Sequence, residues 1–205
     1  MTLQQSIVSG KKIYTQIPLW RQLQSTAAVL QAVLAGESGT SALKQVNADL
    51  RPGVQALSFH VWRWLGTAEI IKSYLAKRAP PPEADALLCV AIAILCGEST
   101  TLHYEPFTLV DQAVEAAKRH PHTKASSNFI NACLRRYLRE KENLTQKAFT
   151  HPMGHWNHPQ WWIKRLKTDH PNSWREILQS NNTHAPLSLR VNTKKKECSQ
   201  LFDCL

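Results

Sequence analysis

From Ala86 to Cys96 the chain reads Ala-Leu-Leu-Cys-Val-Ala-Ile-Ala-Ile-Leu-Cys, with no polar side chain in the run. An apolar stretch of this kind has to be covered. It is too short to cross a bilayer, which takes roughly 20 apolar residues. A helix that is apolar all round belongs at the centre of a bundle, so Leu87–Cys96 is read as the central helix. The flanks agree: Pro80, Pro81 and Pro82 form a stiff break, Glu83 sits where the helix dipole favours an anion, and Gly97 closes the segment.

The rest of the chain supplies helices to surround it. Leu23, Ala27, Leu30 and Leu34 recur at steps of three and four between Trp20 and Ala35, and Gly36 stops that pattern. Leu43, Val46 and Leu50 suggest a short helix ended by Arg51-Pro52-Gly53. Val54, Leu57, Ser58, Val61, Trp62 and Leu65 trace a further face, with a kink expected at Gly66 before Ile70, Ile71, Tyr74 and Leu75. Pro106 precedes a helix containing Val110, Ala113, Val114 and Ala117. Lys118, Arg119 and His120 stand at its C-terminal end, where the dipole favours cations, and Pro121 terminates it. Ser126 to Glu140 is a helix whose apolar stripe is Phe129, Ile130, Cys133, Leu134, Tyr137 and Leu138, with serines available as caps.

Beyond that point the chain changes character. Leu144 to His158 is polar, aromatic and His-rich, broken by Pro152 and Gly154, and reads as a linker. Asn157 and Pro159 start a helix with Trp161, Trp162 and Leu166; Pro171-Asn172-Ser173 breaks it, and Trp174, Ile177 and Leu178 make another. Leu187, Leu189 and Val191 alternate with Ser188, Arg190 and Asn192, a half-buried strand. One strand cannot satisfy its own backbone. The last residues therefore read as the opening of a domain whose remainder is missing.

Charge narrows the partner. Lys and Arg number 25 against 15 acids, a net charge of +10, while 43% hydrophobic residues are enough for a core. This balance favours a polyanion, nucleic acid before an anionic membrane surface. No secretory signal follows Met1, and five cysteines, three of them in apolar helical patterns, fit reduced thiols in a cytoplasmic protein. On the helix from Ser126, residues Asn128, Asn131, Arg135 and Arg139 form a polar stripe, Arg136 flanks it, and Lys118, Arg119 and Lys124 lie nearby. Guanidinium groups grip phosphates bidentately and Asn reads base edges, so these are candidate RNA contacts. A solvated helix face would carry the same residues. Arg63 between Trp62 and Trp64 is a further candidate, although core packing also accounts for the tryptophans.

Other constellations point elsewhere. His151, His155 and His158 have helical spacing, but Pro152 and Gly154 interrupt a helix, and no metal is expected. Trp161 and Trp162 could stack nucleotides, or more simply clamp two domains together. There is no dinucleotide fingerprint, P-loop or nucleophile elbow, and only 7 glycines, so no catalytic residue or cofactor cradle is assigned.

The stretches LSFHVWRWLGTAEIIKSYL, VDQAVEAAK and NACLRRYLRE resemble a NusB-like RNA-binding domain. NHPQWWIKRL and HPNSWREILQSNNTHAPLSLRVNT resemble the join after that domain in the ribosomal RNA small subunit methyltransferase B family. The resemblance covers about Trp20 to Thr193. Lys124-Ala125-Ser126-Ser127 departs from it, standing where the family commonly has a Lys-Gly pair. The resemblance implies an all-α NusB-like bundle of two three-helix halves, followed by linker helices and the first strand of a truncated α+β domain. The expected divisions are an N-terminal arm at 1–19, the RNA-binding domain at 20–140, linker and bridging helices at 141–184, and an incomplete methyltransferase-region domain at 185–205. The implied function is docking of 16S rRNA for an S-adenosylmethionine-dependent cytosine-5 methyltransferase. The cofactor and both cysteines of that chemistry are expected only in the missing domain, and Cys198 and Cys204 match no such motif. Alternatives are a stand-alone NusB-like transcription factor with a protein partner, or an inactive remnant.

Overall fold

Helix α4 (Pro82–Cys96) is buried along its whole apolar run from Ala86 to Cys96, as the sequence requires. In the computed structural model, which describes residues 17–97, 104–183 and 185, it is surrounded by α1 (Leu19–Leu34), α3 (Arg51–Leu75), α5 (Pro106–Arg119) and α6 (Ser127–Arg139). The short α2 (Gly39–Lys44) completes a first half with α1 and α3; α4, α5 and α6 make the second. Three further groups follow: α7 (Lys141–Phe149) with α8 (Pro152–Trp156), then α9 (Gln160–Asp169), then α10 (Trp174–Asn181). The described residues are all-α, and none of their helices is long and apolar enough to cross a membrane. The arm at 1–16 and the strand expected at Leu187–Asn192 lie outside the described residues.

One polar network ties the halves together. The Lys72 ammonium lies 2.8 Å from Glu69 on its own helix and 2.6 Å from Asp85 on α4, and the Cys89 thiol donates to Glu69 at 3.3 Å. Burial would lower the Lys72 amine, but its hydrogen bonds to Asp85 and Glu69 outweigh burial and raise it. Cys89, Cys96 and Cys133 are free and buried.

Three sequence expectations are corrected. Arg51-Pro52-Gly53 opens α3 instead of merely ending its predecessor, because proline is tolerated in a helix's first turn. Gly66 does not kink α3, which runs unbroken; it makes room for another backbone. The segment read as a linker from Leu144 to His158 is α7 and α8, and its Leu144 and Ala148 join the main core. Pro152 misled because it sits in the first turn of α8, where its missing N–H costs nothing.

The seat of α8 on α3 is specific. A Cβ at Gly66 would lie 2.2 Å from the Met153 carbonyl oxygen and 2.8 Å from Asn157 Cα, and one at Gly154 would lie 2.3 Å from the Ala148 oxygen. Only glycine permits this approach. Thr67 Oγ1 donates to the Gly154 carbonyl at 2.7 Å, and the Thr67 backbone N–H donates to Asn157 Oδ1 at 2.8 Å. Asn157 ends α8 in the left-handed region, φ 54°, a conformation asparagine tolerates. From there α9 and α10 form a small hairpin around Ile163, Leu166, Trp174 and Leu178.

Candidate nucleic-acid interface

The helical pitch of α6 sorts its residues cleanly. Ile130, Cys133, Leu134 and Tyr137 are buried against the bundle. Asn128, Arg135 and Arg139 are exposed on the opposite side, with Asn131 half-buried at the edge. The exposed residues are neighbours at steps of three and four, so the polar stripe is one continuous outer face. Arg135 Nε donates to Asn131 Oδ1 at 2.9 Å, which holds the guanidinium along that face. Its other nitrogens stay available for a bidentate acceptor. The serines do not cap α6 through their side chains. The helix is entered from a 3-10 turn at Lys124–Ser126, and Ser127 is buried instead. Phe129, assigned to the core by its spacing, is 37% exposed at the edge of the stripe.

The end of α5 adjoins the start of α6. The buried Thr123 hydroxyl donates to the Ala117 carbonyl at 2.8 Å and folds the connection back. Lys118 and Lys124 are exposed at this corner with no anionic partner among the described residues. Arg119 is committed: it pairs with Glu115 and lies over the Trp20 ring, 4.7 Å from its centroid. Arg136 is committed too, with Nε 2.9 Å from Glu140 and Nη1 donating to the Tyr74 carbonyl at 3.4 Å. The bond to Glu140 raises the Arg136 guanidinium, and the bond to Arg136 lowers the Glu140 carboxyl. Both ion pairs have i,i+4 spacing, so Glu115 and Glu140 were readable in the sequence as the groups that occupy these arginines.

Arg63 stands apart. It is half-buried in the middle of α3 and donates to the Phe59 carbonyl at 3.3 Å. Tyr74, where α3 meets Arg136, is eleven positions further on, or about 16 Å of helix. Trp62 and Trp64 are both half-buried against the core, and Trp62 also packs where a Cβ on Gly39 would come within 2.7 Å of its ring. His151 bonds Tyr74 Oη at 2.8 Å, His155 packs edge-on to Trp156, and His158 Nδ1 lies 2.6 Å from the Trp156 carbonyl, so the three point to different neighbours.

Burial holds the three buried thiols in the neutral form. Burial pushes Cys96 up to about 12, and Cys89 and Cys133 upward as well, so each is a neutral thiol near pH 7. The hollow beside Gln24, Gln31, Glu83 and His120 and the one between α1 and α2 do not join an acidic ribose acceptor to a glycine-rich turn. Neither fits a nucleoside cofactor, and no methyl-transfer step is derived from these residues.

Comparison with known proteins identifies the fold family. Residues 19–139, more than half of the chain, match the model of the NusB family, and residues 158–205 match the model described as Methyltr_RsmF/B-like, ferredoxin-like domain. The chain is 30% identical over 174 residues to ribosomal RNA small subunit methyltransferase B of Vibrio cholerae, covering 82% of this chain and 39% of that protein. It is 33% identical over 175 residues to the Pasteurella multocida protein of the same name, covering 82% and 37%. The probable ribosomal RNA small subunit methyltransferase B of Coxiella burnetii is 30% identical over 176 residues, covering 83% and 39%. The chain thus spans about two fifths of the length of these relatives. It belongs to the NusB family, in the form whose NusB domain and following segment are similar to the ribosomal RNA small subunit methyltransferase B proteins.

Proposed function

We propose that the chain binds RNA through the outer face of α6 and the adjoining end of α5, as the rRNA-docking portion of a cytoplasmic S-adenosylmethionine-dependent 16S rRNA (cytosine-5) methyltransferase. The observation that carries the reading is the exposed row Asn128, Arg135 and Arg139, continued by Lys124 and Lys118; none of these cations is in an ion pair among the described residues, although the Glu140 carboxylate, held by Arg136, lies within electrostatic reach of Arg139. Exposed cations outside ion pairs are the groups that neutralise phosphates and release counterions. Asn128 and Asn131 add donors and acceptors for base edges or 2′-hydroxyls. Arg119 and Arg136 shape the rim, since each already holds a carboxylate of its own. The cofactor is assigned to the longer relatives' remaining length, and its chemistry is no part of this interface.

The test is fluorescence anisotropy of the whole chain with a labelled hairpin from 16S rRNA and a DNA duplex of equal length, across a salt series. Preference for the RNA that persists near physiological salt supports docking. Equal affinities with equal, steep salt slopes overturn it. Arg135→Ala with Arg139→Ala should lower the slope of log K against log salt by about one for each phosphate no longer neutralised.

A further inference from the structure

Trp161 is 68% exposed, an unusual position for the largest apolar side chain. Its place on α9 is fixed by the same geometry that fixes the hairpin. Ile163 and Leu166 turn inward with Trp162 beside them, and Trp161, Lys164, Arg165 and Thr168 turn outward. These four stand at i, i+3, i+4 and i+7, so the indole has two cations one turn away on its own face. Trp162 lies edge-on to Trp161 with ring centroids 5.6 Å apart at 66°, and it is itself packed against the Ile163 cluster. The exposed ring is therefore backed by a seated one.

We infer that the outer face of α9 is a second RNA contact, separate from α6, in which an unpaired base stacks on Trp161 while Lys164 meets the neighbouring phosphate. Charge and surroundings select this partner. A tryptophan that anchors a protein interface sits among other apolar groups at the centre of a dry patch. Here the other exposed residues of this face of α9 and its first turn are Gln160, Lys164, Arg165 and Thr168, all polar and two of them cationic, with Pro159 exposed just before the helix. Indoles with flanking cations are the components of single-strand binding surfaces, because every base has a π face and every nucleotide a phosphate. The hairpin already sets cations on an indole elsewhere: Lys167 and Arg175 each lie 4.5 Å from the centroid of the Trp174 ring. Arg165 lies 2.5 Å from Asp169, so Lys164 is the cation of this face that no acid engages among the described residues. A base inside a duplex cannot offer its face, so the ligand is single-stranded or bulged RNA.

The experiment uses the full chain with a labelled, unstructured RNA oligonucleotide and a fully paired hairpin, read by anisotropy for Trp161→Ala, Trp161→Phe and the Arg135→Ala/Arg139→Ala pair. Trp161→Ala should weaken binding of the unstructured RNA by about tenfold, with a smaller effect on the hairpin. Trp161→Phe should keep most of the affinity, and the melting temperature should hold for both. Unchanged affinity in Trp161→Ala overturns the proposal. So does a fall in its melting temperature or a shift in its sedimentation coefficient, since either would place the indole against protein, in this chain or a second copy. The α6 reading is scored separately: an effect of the arginine pair with a silent Trp161 sinks only the α9 contact, and the reverse sinks only the α6 one.

Discussion

Helix α4 buries twelve of its fifteen residues, whereas α9 and α10 together bury four. The first is a core that stands on its own; the second is a hairpin whose order depends on what it is fastened to. Fully burying one Leu or Ile side chain is worth about 1.5–3 kcal/mol, so a cluster of Ile163, Leu166, Trp174 and Leu178 cannot by itself offset the entropy of ordering two helices. Its fastening runs through Trp156. That ring lies 5.1 Å from Trp174, and the Trp156 carbonyl accepts from Asn182 Nδ2 at 2.9 Å. Trp156 ends α8, and α8 is held to α3 at Gly66 and Thr67. A stable bundle thus passes its order outward along one narrow route, and each link can be cut separately.

The largest effect should come from alkali, which attacks the bundle. Burial raises Cys89, Cys96 and Tyr137, and carboxylate partners raise Lys72, all within α3, α4 and α6. For groups raised in the folded state, the unfolded chain releases its protons first. Their stabilisation is therefore complete below the unfolded values and is lost as pH climbs. Loss should begin near pH 9, where an unfolded thiol ionises, and continue to about 12, the folded value of Cys96. Urea midpoints followed by circular dichroism from pH 7 to 11 should fall steadily above 9; a flat profile would remove the buried thiols from the balance. Next in size is Ile92→Ala at a fully buried site on α4. A drop of about 3–4 kcal/mol in urea unfolding is expected, with α9 and α10 melting in the same transition.

Gly66→Ala should be smaller but more selective. In an ordinary helix interior this change stabilises by up to about 1 kcal/mol. Here the new methyl would meet backbone atoms of α8, so the sign reverses, to a cost of about 1–3 kcal/mol. Amide hydrogen exchange should show α8, α9 and α10 losing protection while α4 keeps it. This position also marks where sequence reading stopped. The eleven-residue apolar run, the amphipathic period of α1 and the stripe on α6 declare their partners through hydrophobicity, and α4, α1 and α6 were legible for that reason. The attachment of α8 uses two glycines, a threonine and an asparagine, residues that look like loop punctuation until the second backbone is in place. Periodicity has nothing to register there, so the segment read as a linker. The same limit applied to the interface. The stripe itself was readable from spacing, but Arg119 over Trp20, the isolation of Arg63 and the exposure of Trp161 depend on which helix lies opposite.

Thr67→Val is the mildest cut and the most informative about the route. Valine keeps the shape of threonine, so packing of α3 on α8 survives and the Thr67 backbone N–H still reaches Asn157. What disappears is the hydroxyl, which donates to the Gly154 carbonyl at 2.7 Å and lies 3.0 Å from Asn157 Oδ1. That carbonyl belongs to a buried residue, so it is left without a partner that water could replace. The expected cost is about 1–2 kcal/mol, read as faster exchange of amides in α8 through α10. If fastening at Thr67 sets the order of the hairpin, α9 and α10 should lose as much protection as α8 does. An effect confined to α8 would mean that the Trp156, Trp174 and Asn182 contacts hold the hairpin by another path, and the single-route picture would give way to two parallel ones.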